Sequence, residues 1–247
     1  MPKIAVFGVC VALLIVGPLV AEEAFAGETA KPVEVTKTEH MDFPSGGVLR
    51  LNNVIGVLTI EPWDQPGLEL TTTKTTLEEY DAANRQKGVA ILDNVRLTSE
   101  RHGDELVLTN DFPRYGSLKP PLPGSPRFTQ DMHIFVPRSV RLEIHGSGQI
   151  YIDEIAGNIQ ADISQGTILL HLPEQGHYDI DARSKFGTVN SDFPGQEKRS
   201  WWLVGHSFMD QPAAGAQKLH LRTGYGDIIL LKIRQPQAPP PAVKPES

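Results

Sequence analysis

Four polar residues recur at one position of a short sequence pattern that begins with glycine. They stand five residues after a glycine, where a strand is expected to end: Asp153, Asp162, His171 and Asp192. If these strands stack in register, the four side chains form a polar ladder that can bind a cation or sugar hydroxyl groups, since carboxylate oxygens suit both. The plainer interpretation, which the sequence favours, is that strand ends are polar because turns are solvated.

Two pairs of carboxylates have a spacing that a glycoside-cleaving enzyme can use. Such an enzyme needs two acids about 5 to 9.5 Å apart, one of them with a raised pKa. Asp153 with Asp162, or Asp179 with Asp181, can meet the distance, but paired acids on a β surface usually face solvent. We assign no catalytic residue. A β-helix glycosidase or lyase that acts on envelope polysaccharide is the alternative function.

Other chemical classes find no support in the sequence. The eight histidines include no H-E-x-x-H motif and the single cysteine is Cys10, so neither a metal site nor a disulfide is predicted. Motifs for serine hydrolases, P-loops and dinucleotide binding are absent, and we expect no cofactor. A formal net charge of −7 argues against a nucleic-acid partner, which would require a basic surface.

The adjacent tryptophans Trp201 and Trp202 are candidate contact residues. Neighbouring side chains on a strand point to opposite faces, so one of the two should face outward. That side chain can stack on a sugar ring or a partner protein, and burial under a loop of its own insertion is the equal alternative. Trp63, which follows a strand next to Pro62, is expected to cover the end of the core.

The elements that position these residues follow from a repeated pattern of a glycine, any residue and an aliphatic residue. The pattern begins at Gly56, Gly148, Gly157, Gly166, Gly187 and Gly226. The second residue after each glycine is aliphatic and the fourth is mostly apolar, so one face of each strand should be buried. Steps of nine residues suit one strand and one turn. The pattern predicts an all-β chain folded as a β-solenoid or β-roll, with a plain sandwich as the alternative.

The rest of the chain divides into short segments. Residues 1–26 are typical of a signal peptide, with an uncleaved anchor as the alternative. Residues 27–44 are expected to form an N-terminal extension, 45–233 the β-solenoid domain, and 234–247 a disordered proline-rich tail. One short helix that caps the solenoid is predicted at Leu77 to Lys87, because Thr76 and Glu79 fit a capping box and Gly88 can end the helix.

Four strings of residues together resemble a known family. They are NVIGVLTIEPWD at 53–64, IFVPRSVRL at 134–142 followed by GSGQI at 146–150, KFGTVNSDFP at 185–194, and RTGYGDI at 222–228. In order and spacing these strings resemble the bacterial putative-adhesin family, a group of exported β-solenoid domains of unknown function. The resemblance covers residues 45–233. It implies a right-handed β-solenoid in the cell envelope, and it supplies no catalytic residues.

These observations predict a non-catalytic, exported envelope protein that is a binding, adhesin-like or structural module. The expected location is periplasmic, envelope-associated or secreted. The expected partner is an envelope component, either a glycan or a protein, and membrane contact is expected only through an uncleaved signal segment. A binding module should expose its acids beside an aromatic patch, whereas an enzyme should hold them in a cleft with shifted pKa values.

Overall fold

A computed structural model describes residues 29–112, 127–200, 205–209 and 215–234, with the backbone alone for residues 197–200. The predicted signal segment, Trp201, Trp202 and the proline-rich tail after Arg234 lie outside the described residues. The described chain holds one helix, α1 (Arg85–Asp93), which follows the fourth strand. The strands in chain order are β1 (Lys31–Met41), β2 (Val48–Val54), β3 (Val57–Trp63), β4 (Leu68–Tyr80), β5 (Arg96–His102), β6 (Glu105–Asp111), β7 (Phe128–Pro137), β8 (Arg141–Gly146), β9 (Gln149–Asp153), β10 (Ile159–Gln165), β11 (Ile168–Pro173), β12 (Tyr178–Phe186), β13 (Val189–Ser191), β14 (Gln196–Ser200), β15 (Gly205–Met209), β16 (Gln217–Tyr225) and β17 (Ile228–Ile233).

The strands form two mixed sheets, neither of which closes on itself. Sheet I has the strand order β1-β4-β7-β3-β9-β11-β17-β13, and sheet II has the order β14-β15-β12-β16-β10-β8-β2-β6-β5. The fold is therefore mostly β, as the sequence pattern predicts. Six pairs of consecutive strands contribute one strand to each sheet, and the two sheets arrange these pairs in the same spatial order. Within each sheet these strands run parallel to their neighbours.

The spatial order of the strand pairs differs from their order in the chain. The pair β16 and β17 lies between β10 and β11 on one side and β12 and β13 on the other. The pair β6 and β7 likewise lies outside β2 and β3, away from β8 and β9. In a simple solenoid, consecutive coils would be neighbours. This stack instead inserts its last pair between earlier ones, so its strand order is not that of a simple solenoid.

The core lies between the two sheets because alternate side chains of every central strand are apolar. Leu58, Ile150, Ile168 and Ile228, each the second residue after a pattern glycine, are fully buried on sheet I. They face aliphatic residues of sheet II, such as Leu142 and Leu221, within one hydrophobic cluster. The period-two pattern therefore separates a buried inner face from a polar outer face on each sheet.

Five of the six pattern glycines form one column at the corner between the sheets. A Cβ atom on Gly148 would lie 2.0 Å from the carbonyl oxygen of Gly56, and one on Gly166 would lie 1.9 Å from that of Gly148. Gly226 and Gly187 continue the column in the same way. Gly157 differs from the other five, because it opens a strand of sheet II and approaches the carbonyl oxygen of Val140. The expectation that all six glycines share one register is therefore wrong at Gly157.

The helix predicted at Leu77 to Lys87 begins eight residues and ends six residues too early. β4 continues to Tyr80, because its run of β-branched threonines pairs with β1 on one side and β7 on the other. The Thr76 hydroxyl accepts a hydrogen bond from the amide of Val33 in the sheet and caps no helix. Gly88, the predicted stop, is buried inside α1 against Val33 and Tyr80.

Strand β1 occupies most of the segment that the sequence placed ahead of the domain. It is an edge strand of sheet I, and its buried Val33 packs with Leu92, Val95 and Phe128 in a second, smaller hydrophobic cluster. The segment 27–44 therefore contributes to the fold. Its alternating apolar signal is weak because β1 buries only this one side chain completely.

Candidate functional site

A row of polar side chains crosses the outer face of sheet I. Strand pairing aligns residues of six neighbouring strands, β1, β4, β7, β3, β9 and β11. The pairing of β3 with β9 ends at Ile60 and Ile152, and the row continues through the residue that follows each of them. We call these six residues the polar row: His40, Glu69, Phe135, Glu61, Asp153 and His171. With neighbouring strands about 4.8 Å apart, the row is about 24 Å long. It contains two members of the predicted ladder, Asp153 and His171.

Three imidazole–carboxylate contacts lie along this row. Nδ1 of His171 lies 2.5 Å from Oδ1 of Asp153, and both side chains are about one-third exposed. Nδ1 of His40 lies 3.3 Å from Oε2 of Glu69. Nε2 of His133, from the adjacent row, lies 3.3 Å from Oε2 of Glu61. Each of the three acids of the row thus lies within 3.3 Å of an imidazole nitrogen and is partly exposed to solvent.

The other two members of the predicted ladder, Asp162 and Asp192, were expected to line up with Asp153 and His171 but do not belong to this row. Asp162 lies on β10 in sheet II, on the opposite outer face, because its glycine, Gly157, belongs to the other corner. Asp192 follows β13 at the same level as the row, but Leu231 of β17 separates it from His171. Its carboxylate accepts a hydrogen bond from the amide of Lys232 at 3.1 Å.

Aromatic side chains flank the polar row. Trp63 stacks on Phe135 with ring centroids 5.7 Å apart and an interplanar angle of 18°. His133 packs against the same phenylalanine at 4.4 Å, and the indole Nε1 of Trp63 donates to the carbonyl oxygen of Gly67 at 3.0 Å. Trp63 is half-buried on the outer face of sheet I and does not cover the end of the core, contrary to expectation.

A second aromatic pair is more exposed. Phe186 and Tyr225 stack with centroids 4.7 Å apart at 11°, and Tyr225 is 60% exposed. Each stands directly before a glycine of the corner column, so the corner brings them together. This pair was not predicted from the sequence. The signal available was an aromatic residue before glycine in both the KFG and GYG strings.

The acid pairs considered for glycoside cleavage are not arranged for it. Asp153 and Asp162 lie on the outer faces of opposite sheets. Asp179 and Asp181 share the outer face of β12, where Arg222 and Arg183 both bond the Asp181 carboxylate. Burial favours its protonated form, but hydrogen bonds and charge from Arg222, together with Arg183, outweigh burial and hold its pKa below the ordinary value. Asp181 therefore stays ionised and is a poor proton donor.

The remaining contact residues expected from the sequence, Trp201 and Trp202, lie outside the described residues. Within the described ranges, no three histidine, cysteine, aspartate or glutamate side chains come together in a way that would hold a metal ion. The one helix found among those residues, α1, is not long and apolar enough to cross a membrane.

Comparisons with known proteins find distant structural similarity. Neither the protein-family models nor the curated proteins include a match to this chain. A solved putative cell adhesion protein from Clostridium sporogenes is 15% identical, with a TM-score of 0.45, and the alignment covers 82% of this chain and all of that one. A solved putative adhesin from Bacteroides fragilis is 10% identical, with a TM-score of 0.26, over 81% of this chain and 97% of that one. At this distance, function has to be argued from the site itself.

Proposed function

We propose that this protein is a non-catalytic, adhesin-like binding module of the cell envelope that holds a glycan on the outer face of sheet I. The polar row carries this proposal, because it places carboxylates, imidazoles and Phe135 across one face of the sheet, with Trp63 stacked on Phe135 beside it. The predicted signal segment supports an exported location. The finer expectation of a right-handed β-solenoid belongs to the same proposal, supported by the parallel strand pairs and their glycine corner.

The chemistry of the row suits sugar hydroxyl groups. Carboxylates accept hydrogen bonds from hydroxyl groups, and the imidazole nitrogens add a donor or an acceptor according to tautomer. The length of about 24 Å spans several sugar units, so a chain can lie across the strands and contact successive side chains. The half-buried Trp63 and Phe135 add apolar area on which a sugar ring can pack.

Binding is favoured over cleavage by how the acids are held. Each acid of the row contacts an imidazole and is partly exposed on the outer face of sheet I. A glycosidase holds its acid in an apolar pocket beside a second carboxyl group, whereas these acids lie partly exposed on an outer sheet face. The expected activity is therefore recognition without turnover.

A thermal-shift screen of the purified full chain with peptidoglycan fragments and neutral oligosaccharides tests this proposal. A ligand that binds only the folded state raises the melting temperature. For any hit, we expect Trp63→Ala and Glu61→Gln each to weaken binding by about tenfold in calorimetric titration. Glu61→Gln changes little in shape, so its effect reports on the carboxylate rather than on folding.

Tyr225→Ala is the matched control, because it removes an exposed aromatic ring at the glycine corner, away from the polar row. It should leave the affinity unchanged. Binding that depends on Tyr225 and not on Trp63 or Glu61 would overturn the assignment of the face. Release of new reducing ends from a bound glycan, abolished by Glu61→Gln, would instead show the alternative enzyme.

A further inference from the structure

A shallow depression of about 360 Å³ lies on the outer face of sheet II, opposite the polar row. It is bounded by β8, β10 and β16, and its polar lining comes from Arg141, Glu143, Asn158, Gln160, Lys218 and His220. We propose that this depression is a second binding site, for an acidic polysaccharide whose sugars carry carboxylate or sulfate groups.

Two cations at the depression have no acidic partner among the described residues. The other arginines on the outer faces of the neighbouring strands are neutralised: Arg50 bonds Glu143 and Glu105, and Arg222 bonds Asp181. Arg141 precedes Glu143 on the same outer face, but that carboxylate already accepts from Nε and Nη2 of Arg50 at 2.9 and 2.8 Å. The guanidinium of Arg141 is thus left without an acid on its own strand.

The second cation is the ammonium of Lys218. Its neighbour in the strand register is Asp179 of β12, yet no ion pair within 4.0 Å joins them in the described part of the chain. The backbone amide of Lys218 donates a hydrogen bond to the side-chain oxygen of Asn158 at 2.9 Å, which fixes the backbone at this position. The lysine is therefore held at the rim of the depression with its charge available to a ligand.

The spacing of the two cations suits an extended ligand. β10 lies between the strands that carry them, so Arg141 and Lys218 stand about 10 Å apart. An extended ligand that crosses β10 can therefore bond both cations at once. Beside them lie the Gln160 amide on β10, whose nitrogen donates to Asp162 and leaves its oxygen free to accept, and the ring of His220 on β16, two residues along from Lys218. A chain with anionic groups at both ends and hydroxyl groups between them matches this arrangement.

A glycan fits this surface better than an acidic peptide does. Peptides commonly bind to sheets by adding a strand to a free edge, which supplies main-chain hydrogen bonds. The three strands at the depression are each paired on both sides, so they offer no edge. The net charge of −7 also opposes non-specific capture of polyanions, so binding should depend on these two cations.

The test uses the purified full chain titrated with a chondroitin sulfate oligosaccharide, an oligogalacturonide, a neutral dextran oligomer and poly-glutamate. We expect both acidic sugars, or the sulfated one alone, to bind, and dextran and poly-glutamate not to bind. Arg141→Gln with Lys218→Gln should weaken binding at least about tenfold, and added salt should weaken it in the wild type.

The matched control is Arg96→Gln with Arg101→Gln, which removes the same charge from exposed positions on β5 of the same sheet. An equal loss of affinity in the control variant would overturn the site. Equal binding of poly-glutamate, or failure of both acidic sugars to bind, would also overturn it. Trp63→Ala should leave acidic-sugar binding intact. A dependence on Trp63 with none on Arg141 would place the acidic ligand on the polar row instead, so the two proposals fail separately.

Discussion

The two ends of the molecule are built on different principles. In the parallel stack, formed by β3, β9, β11, β17 and β13 with β2, β8, β10, β16 and β12, each strand pair turns at a glycine and buries aliphatic side chains. The helix-covered end, formed by β1, β4, β7 and α1, is antiparallel. The stack repeats the same glycine turn and aliphatic packing in each strand pair. The contacts that form the helix-covered end each occur once.

Polar groups inside the molecule sharpen this contrast. In β7 of the helix-covered end, Gln130 is fully buried and donates to Asn110 at 3.0 Å. Lys74 of β4 reaches the carbonyl oxygens of Leu92 and Val95 at the end of α1. The inner face of the stack is mainly aliphatic. The comparison teaches that close backbone approach specifies the stack, while individual side-chain contacts specify the other end.

The largest effect is expected at the glycine corner. In Gly166→Ala the new Cβ would lie 1.9 Å from the carbonyl oxygen of Gly148, at a φ of +122° that suits only glycine. Because backbone on both sides would have to move, we expect a loss of at least about 5 kcal/mol in the free energy of unfolding, measured with urea.

Gly103→Ala separates the clash from the backbone angle. Gly103 has a φ of +63° but has nothing within 4 Å of its would-be Cβ. The Gly103→Ala substitution should lower the free energy of unfolding by about 1 kcal/mol. Equal losses at the two glycines would mean that close approach does not specify the stack.

A smaller and more local effect is expected at the helix-covered end. Phe128 is fully buried in the second hydrophobic cluster, and Phe128→Ala should cost about 3–5 kcal/mol. Hydrogen exchange should show lost protection in β1 and α1 while β9 and β11 stay protected, because the cluster joins only the former. Leu170→Ala in the main core is the control, and it should loosen β9 and β11 instead. The same exchange pattern in both variants would contradict two separately specified ends.

Acid should weaken the stack through Asp181. Its pKa is lowered in the folded protein, so its stabilising contribution is complete above the unfolded value of about 3.9 and is lost as pH falls through the folded value. Arg222→Gln should cost about 1 kcal/mol at pH 7, the range for a partly exposed pair, and should reduce the loss below pH 4. Denaturation curves at pH 7 and pH 3 check this. An unchanged acid response in the variant would remove Asp181 as its source.

The smallest effect is expected at Lys74 and has the opposite pH direction. Burial is the main cause that lowers the pKa of this ammonium, so its charged form is disfavoured in the folded state. Stability should therefore rise as pH climbs from the folded value toward the unfolded value of about 10.4, by under about 1 kcal/mol. Lys74→Met should abolish this rise, whereas the exposed Lys87→Met should keep it. Equal behaviour of the two variants would show that the helix-covered end holds no such lysine.

The sequence predicted the parallel stack better than the helix-covered end. The aliphatic residues after Gly148, Gly166 and Gly226 indicated correctly which side chains are buried, because a period of two is local information. The helix was misplaced because Thr76 and Glu79 match a capping box equally well whether or not a neighbouring strand pairs with them. Sheet pairing overrode the local preference for a helix.

The candidate site was predicted only in part. The structure brings Asp153 and His171 together, because their glycines stand at the same corner. Asp162 was grouped with them because Gly157 has the same local sequence, although it belongs to the opposite sheet. The aromatic partners Trp63 and Phe135 are 72 positions apart in the chain, and only strand pairing brings them into contact.

By itself, the sequence determined that the chain forms strands with one apolar face, that glycine marks their corners, and that no familiar catalytic or metal-binding motif is present. These properties depend on residues within a few positions of one another. Only the tertiary structure decided the strand order, the two outer faces and the neighbours across them, because these depend on pairing between residues far apart in the chain. The polar row and the cationic depression both arise from that pairing, since each collects side chains from strands whose order in space differs from their order in the chain.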